Sequence, residues 1–251
     1  VDFETRSGDR KRGGLDAHHG DRVCGVAMTW DENPCAWYVP VRHAAYDKNL
    51  DPGAVFAWLN DWMRRCKEWT NHNVKFDAHF GFYDGMTIPG RLVDTMVLAK
   101  LHDTSRIDVG LGYGLKDLGA DWLNEPQPLR DEVKDWLHAA KTKDFAEVPP
   151  HILGPYARND VLLCRRLRRW IEQQLPAEMQ RLKETEIALT SVLFRMERRG
   201  LKTVDPLLLK REELMCLRKM VLSSGELKTL TGVEYVNSND HAYEILINQL
   251  G

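Results

Sequence analysis

Residues 1–5 read Val1-Asp2-Phe3-Glu4-Thr5, and this stretch decides the fold. Side chains of a strand alternate between its two faces, so Asp2 and Glu4 share one face while Val1 and Phe3 enter the opposite layer. Apolar neighbours predict a buried strand, and in a buried strand the acidic pair is the unusual feature. Two carboxylates this close repel, and one takes up a proton near neutral pH unless a cation stands between them. A divalent metal removes that conflict. The triplet alone is weak evidence, since roughly one Asp-x-Glu is expected by chance in a chain of this length, and a solvated strand end accounts for it equally well.

Working outward, the next informative stretch is Trp69-Thr70-Asn71-His72-Asn73-Val74-Lys75-Phe76-Asp77, continuing through Ala78-His79-Phe80. Asn73 fits a helix N-cap, and Asp77 lies one turn further along on the same side, where its charge complements the helix N-terminus. Capping alone also explains the pair. The third stretch is Pro155-Tyr156-Ala157-Arg158-Asn159-Asp160. Pro155 suits a first helical turn, and Tyr156, Asp160, Leu163, Leu167 and Ile171 form the core-facing stripe of an amphipathic helix. An acid on a buried stripe needs a partner. A metal shared with Asp2 and Glu4 supplies one, and ordinary hydrogen bonds at the helix end are the alternative.

In this order and spacing, Asp2-x-Glu4, Asn73-x-x-Phe76-Asp77 and Tyr156-x-x-x-Asp160 resemble the three motifs of the DEDDy 3'-5' exonucleases. The likeness is to the proofreading domain of family A DNA polymerases, of the bacterial DNA polymerase I type and its phage relatives. It spans about residues 1–176 and takes in Thr5, Val93-Asp94-Thr95-Met96 and Gly114-Leu115-Lys116-Asp117-Leu118. Beyond Pro176, residues 177–251 resemble the N-terminal part of the polymerase domain, from Glu184 through Leu193-Phe194-Arg195-Met196-Glu197-Arg198-Arg199-Gly200 to Asn237-Ser238-Asn239-Asp240.

The resemblance implies an α/β fold, a ribonuclease H-like mixed sheet flanked by helices, followed by a mainly helical partial polymerase segment. It also implies an enzyme that hydrolyses the terminal phosphodiester at a DNA 3' end and releases nucleoside monophosphates during DNA replication. Asp2, Glu4 and Asp160 would hold one ion, and Asp2 would bridge to a second near Asp77. One ion makes hydroxide available and the other stabilises the leaving oxygen, at about 4 Å separation. Oxygen-only ligands favour Mg2+ or Mn2+. Tyr156 orients the nucleophile, its phenol being too weak a base near neutral pH. Thr5, Asn73 and Phe76 are candidates for holding the terminal nucleotide. The implied partners are a single-stranded DNA 3' end and the remainder of a polymerase chain.

Composition sets the frame. The chain has 251 residues, 43% of them hydrophobic, ordinary for one large or two modest domains. No apolar run approaches a membrane span and no signal region opens the chain, so membrane contact is not expected and the cytoplasm, a host's if the source is viral, is the expected location. Cys24, Cys35, Cys66, Cys164 and Cys216 show no Cys-x-x-Cys spacing, which suggests reduced thiols. A net charge of −2 argues against gripping long duplexes through many phosphates, while leaving a short single strand open. Arg64-Arg65, Arg165-Arg166, Arg168-Arg169 and Arg198-Arg199 read as solvated helix faces.

Strands are predicted over 22–30 and 35–41 with a turn at 31–34 between them, a helix over 52–67 with Val55, Trp58, Leu59 and Trp62 inward, and a returning strand over 68–71. After a boundary near Pro176, a helix with Leu182, Leu189, Val192, Leu193 and Met196 inward stops at Gly200. A short strand over 201–204 follows, and Asp205-Pro206 opens another helix. The first strand is short for a central one, and the chain reads as a piece of a longer polymerase with no nucleotide-transfer site in it. Two rival readings use the same residues. One is a ribonuclease D-like enzyme trimming RNA, and the other is a catalytically silent domain that guides DNA for a polymerase.

Overall fold

The computed structural model describes residues 1–7, 14–30, 33–126, 128–201 and 206–232. The fold is mixed α/β, mainly helical, with two small sheets. Strands β1 (Asp2–Arg6), β2 (Arg22–Met28) and β3 (Trp37–Pro40) form an antiparallel sheet in that order. Strands β4 (Trp69–Asn71) and β5 (Leu92–Asp94) form a parallel pair. The sequence predicts one mixed sheet. Here β4 meets β1 through side chains instead of a ladder: the Trp69 indole donates to the Val1 carbonyl at 2.8 Å and the Asn71 amide to the Asp2 carboxylate at 2.9 Å.

From Val23 to Met28 every residue of β2 is buried, the mark of a strand covered on both faces. Val26 and Met28 pack with Phe3 and with Val55, Phe56 and Leu59 of α1 (Pro52–Met63), while Ala27 faces Ala157 and Val161 of α6 (Pro150–Gln174). Gly25, paired with Glu4, has no room for a side chain because a Cβ would overlap the Tyr38 hydroxyl. A register irregularity between Glu4 and Thr5 ends the alternation immediately after the two acids.

The remaining helices of the first compact unit, Val1–Arg199, surround this frame. They are α2 (Val74–Tyr83), α3 (Thr95–His102), α4 (Leu115–Leu123), α5 (Pro128–Ala139) and α7 (Gln180–Arg199). Leu118 of α4, Leu98 of α3 and Leu167 and Ile171 of α6 make a second core cluster, joined by Ile187 of α7. The unit from Gly200 onward is described only at Gly200 and Leu201 and from α8 (Pro206–Thr231) to Gly232, where nearly every side chain is exposed. The predicted strand at 201–204, save Leu201, and the segment at 237–246 lie outside the described residues, as do residues 31 and 32 of the 31–34 turn.

Three helix readings change. In α1 the buried face is Val55, Phe56, Leu59 and Met63, whereas Trp58 and Trp62 lie outside, where Trp62 stacks on Trp30 at 5.3 Å. In α7 the buried residues are Ile187, Thr190, Ser191 and Phe194, and Leu182, Leu189, Val192 and Met196 are exposed. Phe194 sets that rotation by entering the first core cluster beside His79, and the Ser191 hydroxyl accepts the buried Leu92 N–H at 3.1 Å. Helix α6 begins at Pro150 rather than at Pro155. Pro155 sits inside it, where it withholds one backbone donor.

Arg64 and Arg65 are exposed as expected, whereas arginines of the later pairs are not merely solvated. Arg168 ion-pairs with Glu68 and Glu172 and reaches Thr70, and Arg165 reaches Thr29 and the Asn33 carbonyl, so α6 is tied to both sheets. Arg198 covers the Phe82 ring with its guanidinium 3.7 Å from the centroid.

Candidate active site

The acids reach the site from three elements. Asp2 and Glu4 project from one face of β1 while Phe3, on the other, packs against Phe56 and Trp69. Asp77, in the first turn of α2, turns inward and accepts the Phe3 backbone N–H at 2.8 Å, which fixes α2 against β1. Asp160 and Tyr156 project from adjacent turns of α6. The structure thus couples Asp2 with Glu4 and Asp77, sets the Tyr156 phenol in the field of Glu4 and Asp2, and joins Asp160 to them through Lys116 of α4, whose ammonium ion-pairs with Asp160 and lies 4.4 Å from the centre of the Tyr156 ring.

Burial governs the electrostatics. Glu4 is buried, and loss of hydration together with the neighbouring Asp2 charge pushes its carboxyl up to about 8, against the pull of Lys116. Asp77 rises well above the ordinary carboxylate range, through burial and then the Asp2 charge, opposed by the Phe3 N–H. Asp2 also rises through burial, and the Asn71 hydrogen bond opposes it. Each of these acids resists ionising unless positive charge enters. Burial lowers Lys116 to about 8 although Asp2 and Glu4 favour its charged form. Tyr156 rises through burial and then the charges of Glu4 and Asp2, so its phenol stays protonated.

Among the described residues no three His, Cys, Asp or Glu side chains are placed to hold a metal ion between them. The chemistry of the donor set nevertheless fits a hard divalent cation. It consists of oxygen only, Glu4, Asp77 and Asp160 are buried with Asp2 partly so, and its carboxylates are held under mutual repulsion that a cation would relieve. Asp2, Glu4, Asp77 and Asp160 are the residues that could hold one.

The three residues expected near the substrate differ in setting. The buried Thr5 hydroxyl donates to the Gly14 carbonyl. Phe76 packs partly on the core, 4.9 Å from the Phe80 ring. Asn73 stands at the N-cap of α2 in the left-handed region, φ 59°, and its side chain makes no cap bond. Asp94 performs that capping: its carboxylate accepts from the backbone N–H of Asn73 at 2.9 Å and Val74 at 3.1 Å, and it also caps α3 through Met96 at 2.9 Å. Sequence reasoning missed Asp94, Asn71 and Lys116. An Asp directly before an apolar helix signals Asp94. A lone lysine beside the apolar Leu115, Leu118 and Gly119 signals Lys116.

Residues 1–176 match the family described as 3'-5' exonuclease of the family A DNA polymerases. The chain is 29% identical over 219 residues to DNA polymerase I of Chloroflexus aurantiacus, which covers 85% of this chain and 22% of that protein. It is 29% identical over 239 residues to DNA polymerase DpoZ of Acinetobacter phage SH-Ab 15497, covering 90% of this chain and 35% of the phage protein. It is 25% identical over 248 residues to DNA polymerase DpoZ of Salmonella phage PMBT28, covering 92% and 36%. The chain therefore spans between about a fifth and just over a third of these relatives. No helix among the described residues is long and apolar enough to cross a membrane. With the match running over residues 1–176 of 251, the chain belongs to the 3'-5' exonuclease family of the family A DNA polymerases.

Proposed function

We propose that the chain is a metal-dependent 3'-5' exodeoxyribonuclease, the proofreading part of a DNA polymerase. It hydrolyses the terminal phosphodiester of single-stranded DNA. Residues 1–176 form the exonuclease domain, built on the ribonuclease H-like plan that its family implies, and 177–251 begin the polymerase region. One observation carries the reading: in a chain of this family, the coupled carboxylates of β1 and α2 are joined through Lys116 to Asp160 of α6, beside the half-buried Tyr156 phenol.

Water attacks the terminal phosphorus, the bond from phosphorus to the 3' oxygen of the preceding nucleotide breaks, and a nucleoside 5'-monophosphate leaves. Magnesium or manganese ions held by Asp2, Glu4 and Asp160, and by Asp2 with Asp77, would supply the positive charge that acidifies water and stabilises the leaving oxygen. Asn71 orients the Asp2 carboxylate and the Phe3 N–H orients Asp77, so neither acid has to be positioned during turnover. Tyr156, kept protonated, aligns the attacking water by hydrogen bonding and takes no proton from it. Asn73, exposed at the start of α2, holds the terminal nucleotide with the Phe76 ring, and Thr5 contributes through its backbone, its hydroxyl being committed to Gly14.

A DNA oligonucleotide carrying its label in the 3'-terminal nucleotide tests the reading. The label should appear as a free mononucleotide in the first turnover, in Mg2+ or Mn2+ and not in EDTA. Equal release from RNA of the same sequence would favour the ribonuclease D-like alternative. No release from folded protein would favour a silent domain.

A further inference from the structure

Lys116 is placed by two helices rather than by the freedom of its own side chain. On α4 it precedes Gly119 by three residues, and on α6 Asp160 precedes Leu163 by three, so each pair shares a helix face. Gly119 and Leu163 make the close approach: a Cβ on Gly119 would lie 2.9 Å from both δ-carbons of Leu163. One turn along from that contact the Lys116 ammonium meets the Asp160 carboxylate and rests over the Tyr156 ring, with both charged side chains largely shielded from solvent. Asp2 and Glu4 act on the same ammonium, each favouring its charge. The helix seat therefore delivers one positive charge to the acids from β1 and α6 together.

We infer that Lys116 is the resident counter-ion of the acidic cluster, pairing with Asp160 while no divalent cation is bound and giving up that carboxylate when one enters. The inference rests on reading Asp2, Glu4, Asp77 and Asp160 as metal ligands. Its physical basis is that buried carboxylates left without positive charge destabilise a fold, and a neighbouring ammonium removes that cost. An ammonium and a divalent ion cannot use the same carboxylate oxygen at once, so they compete. Lysine suits the exchange because its charge rides on a flexible four-carbon stem. The Tyr156 ring face is a seat that remains when Asp160 is taken.

Titrating Mn2+ into the 251-residue chain by calorimetry, alongside thermal unfolding in EDTA and in saturating Mn2+, tests this with Lys116→Met, Lys116→Gln and Lys116→Arg. Both neutral variants should bind Mn2+ roughly tenfold or more tightly than the wild type, the scale on which one nearby charge changes a carboxylate's affinity for a proton. They should also unfold at lower temperature in EDTA and recover the wild-type temperature in Mn2+. Lys116→Arg keeps the charge and should stay near wild-type affinity. Unchanged affinity in the neutral variants, with equal thermal losses in EDTA and Mn2+, would overturn the inference and leave the lysine a packing residue. Absence of Mn2+ binding in the wild type and in every variant would remove the metal-site reading itself, and the inference with it.

Discussion

Replacing Glu4 by Gln should stabilise the metal-free protein relative to the wild type by a margin that grows as pH rises. Glu4 is buried, and its carboxyl is pushed from the usual 4.5 up to about 8, first by burial and then by Asp2. Between those values the folded chain keeps a proton that the unfolded chain has lost. Stability contributed by the protonated acid is therefore complete below about 4.5 and lost as pH climbs to and through about 8. A tenfold change in proton affinity is about 1.4 kcal/mol, so the full effect reaches up to roughly 5 kcal/mol, of which about 2 falls between pH 6.5 and 8.

That upper interval is the useful one. Burial lowers His43, His72 and His79, so their opposite contribution grows with pH and is complete above about 6.5, while that of Lys116 starts only above about 8. Asp2 and Asp77 slope the same way as Glu4 and remain in the variant, so the readout is the difference between wild type and Glu4→Gln. Urea unfolding in EDTA, followed through the fluorescence of the eight tryptophans, measures it at each pH. The two proteins should be nearly equal at pH 5 and should diverge in favour of the variant by pH 8. A flat difference across pH 5–8 would refute the burial argument for this carboxylate.

Other substitutions separate positioning from packing. Tyr156→Phe should leave Mn2+ affinity intact and slow cleavage roughly ten- to hundredfold, read from single-turnover rates, since the phenol aligns water without binding metal. Asp94→Ala removes caps from α2 and α3 together and should cost about 2 to 3 kcal/mol in urea unfolding, about 1 for each cap with a further share for burial of the freed N–H groups. Phe194→Ala should cost about 3 kcal/mol, whereas Met196→Ala, two residues on and exposed, should cost under about 0.5. Equal costs would contradict the rotation of α7.

The sequence was most legible where charge interrupts an apolar pattern. Asp2 and Glu4 stand out because Val1 and Phe3 leave a strand no polar reason to carry them, and Asp160 stands out on the stripe with Leu163, Leu167 and Ile171. Legibility failed where apolar residues exceed what one face can bury. In α1 two tryptophans compete with Phe56 and Met63, and in α7 four aliphatic residues compete with Ile187 and Phe194, so the neighbouring elements decide the rotation. Long-range partners were hidden too. Asn73 has the composition of a cap, yet Asp94, 21 residues away in sequence, caps α2 in its place. Lys116 meets Asp160 only because Gly119 lets α4 settle on Leu163.

The most direct test of the central claim is a denaturing-gel time course of 5'-labelled single-stranded DNA with the wild type, Asp2→Ala and Asp160→Ala, in Mg2+, Mn2+ and EDTA. The account predicts a ladder descending one nucleotide at a time from the 3' end, dependent on metal and lost in both variants while circular dichroism shows their folds intact. Undiminished cleavage by both variants, or no ladder from folded wild-type protein in either metal, would contradict it.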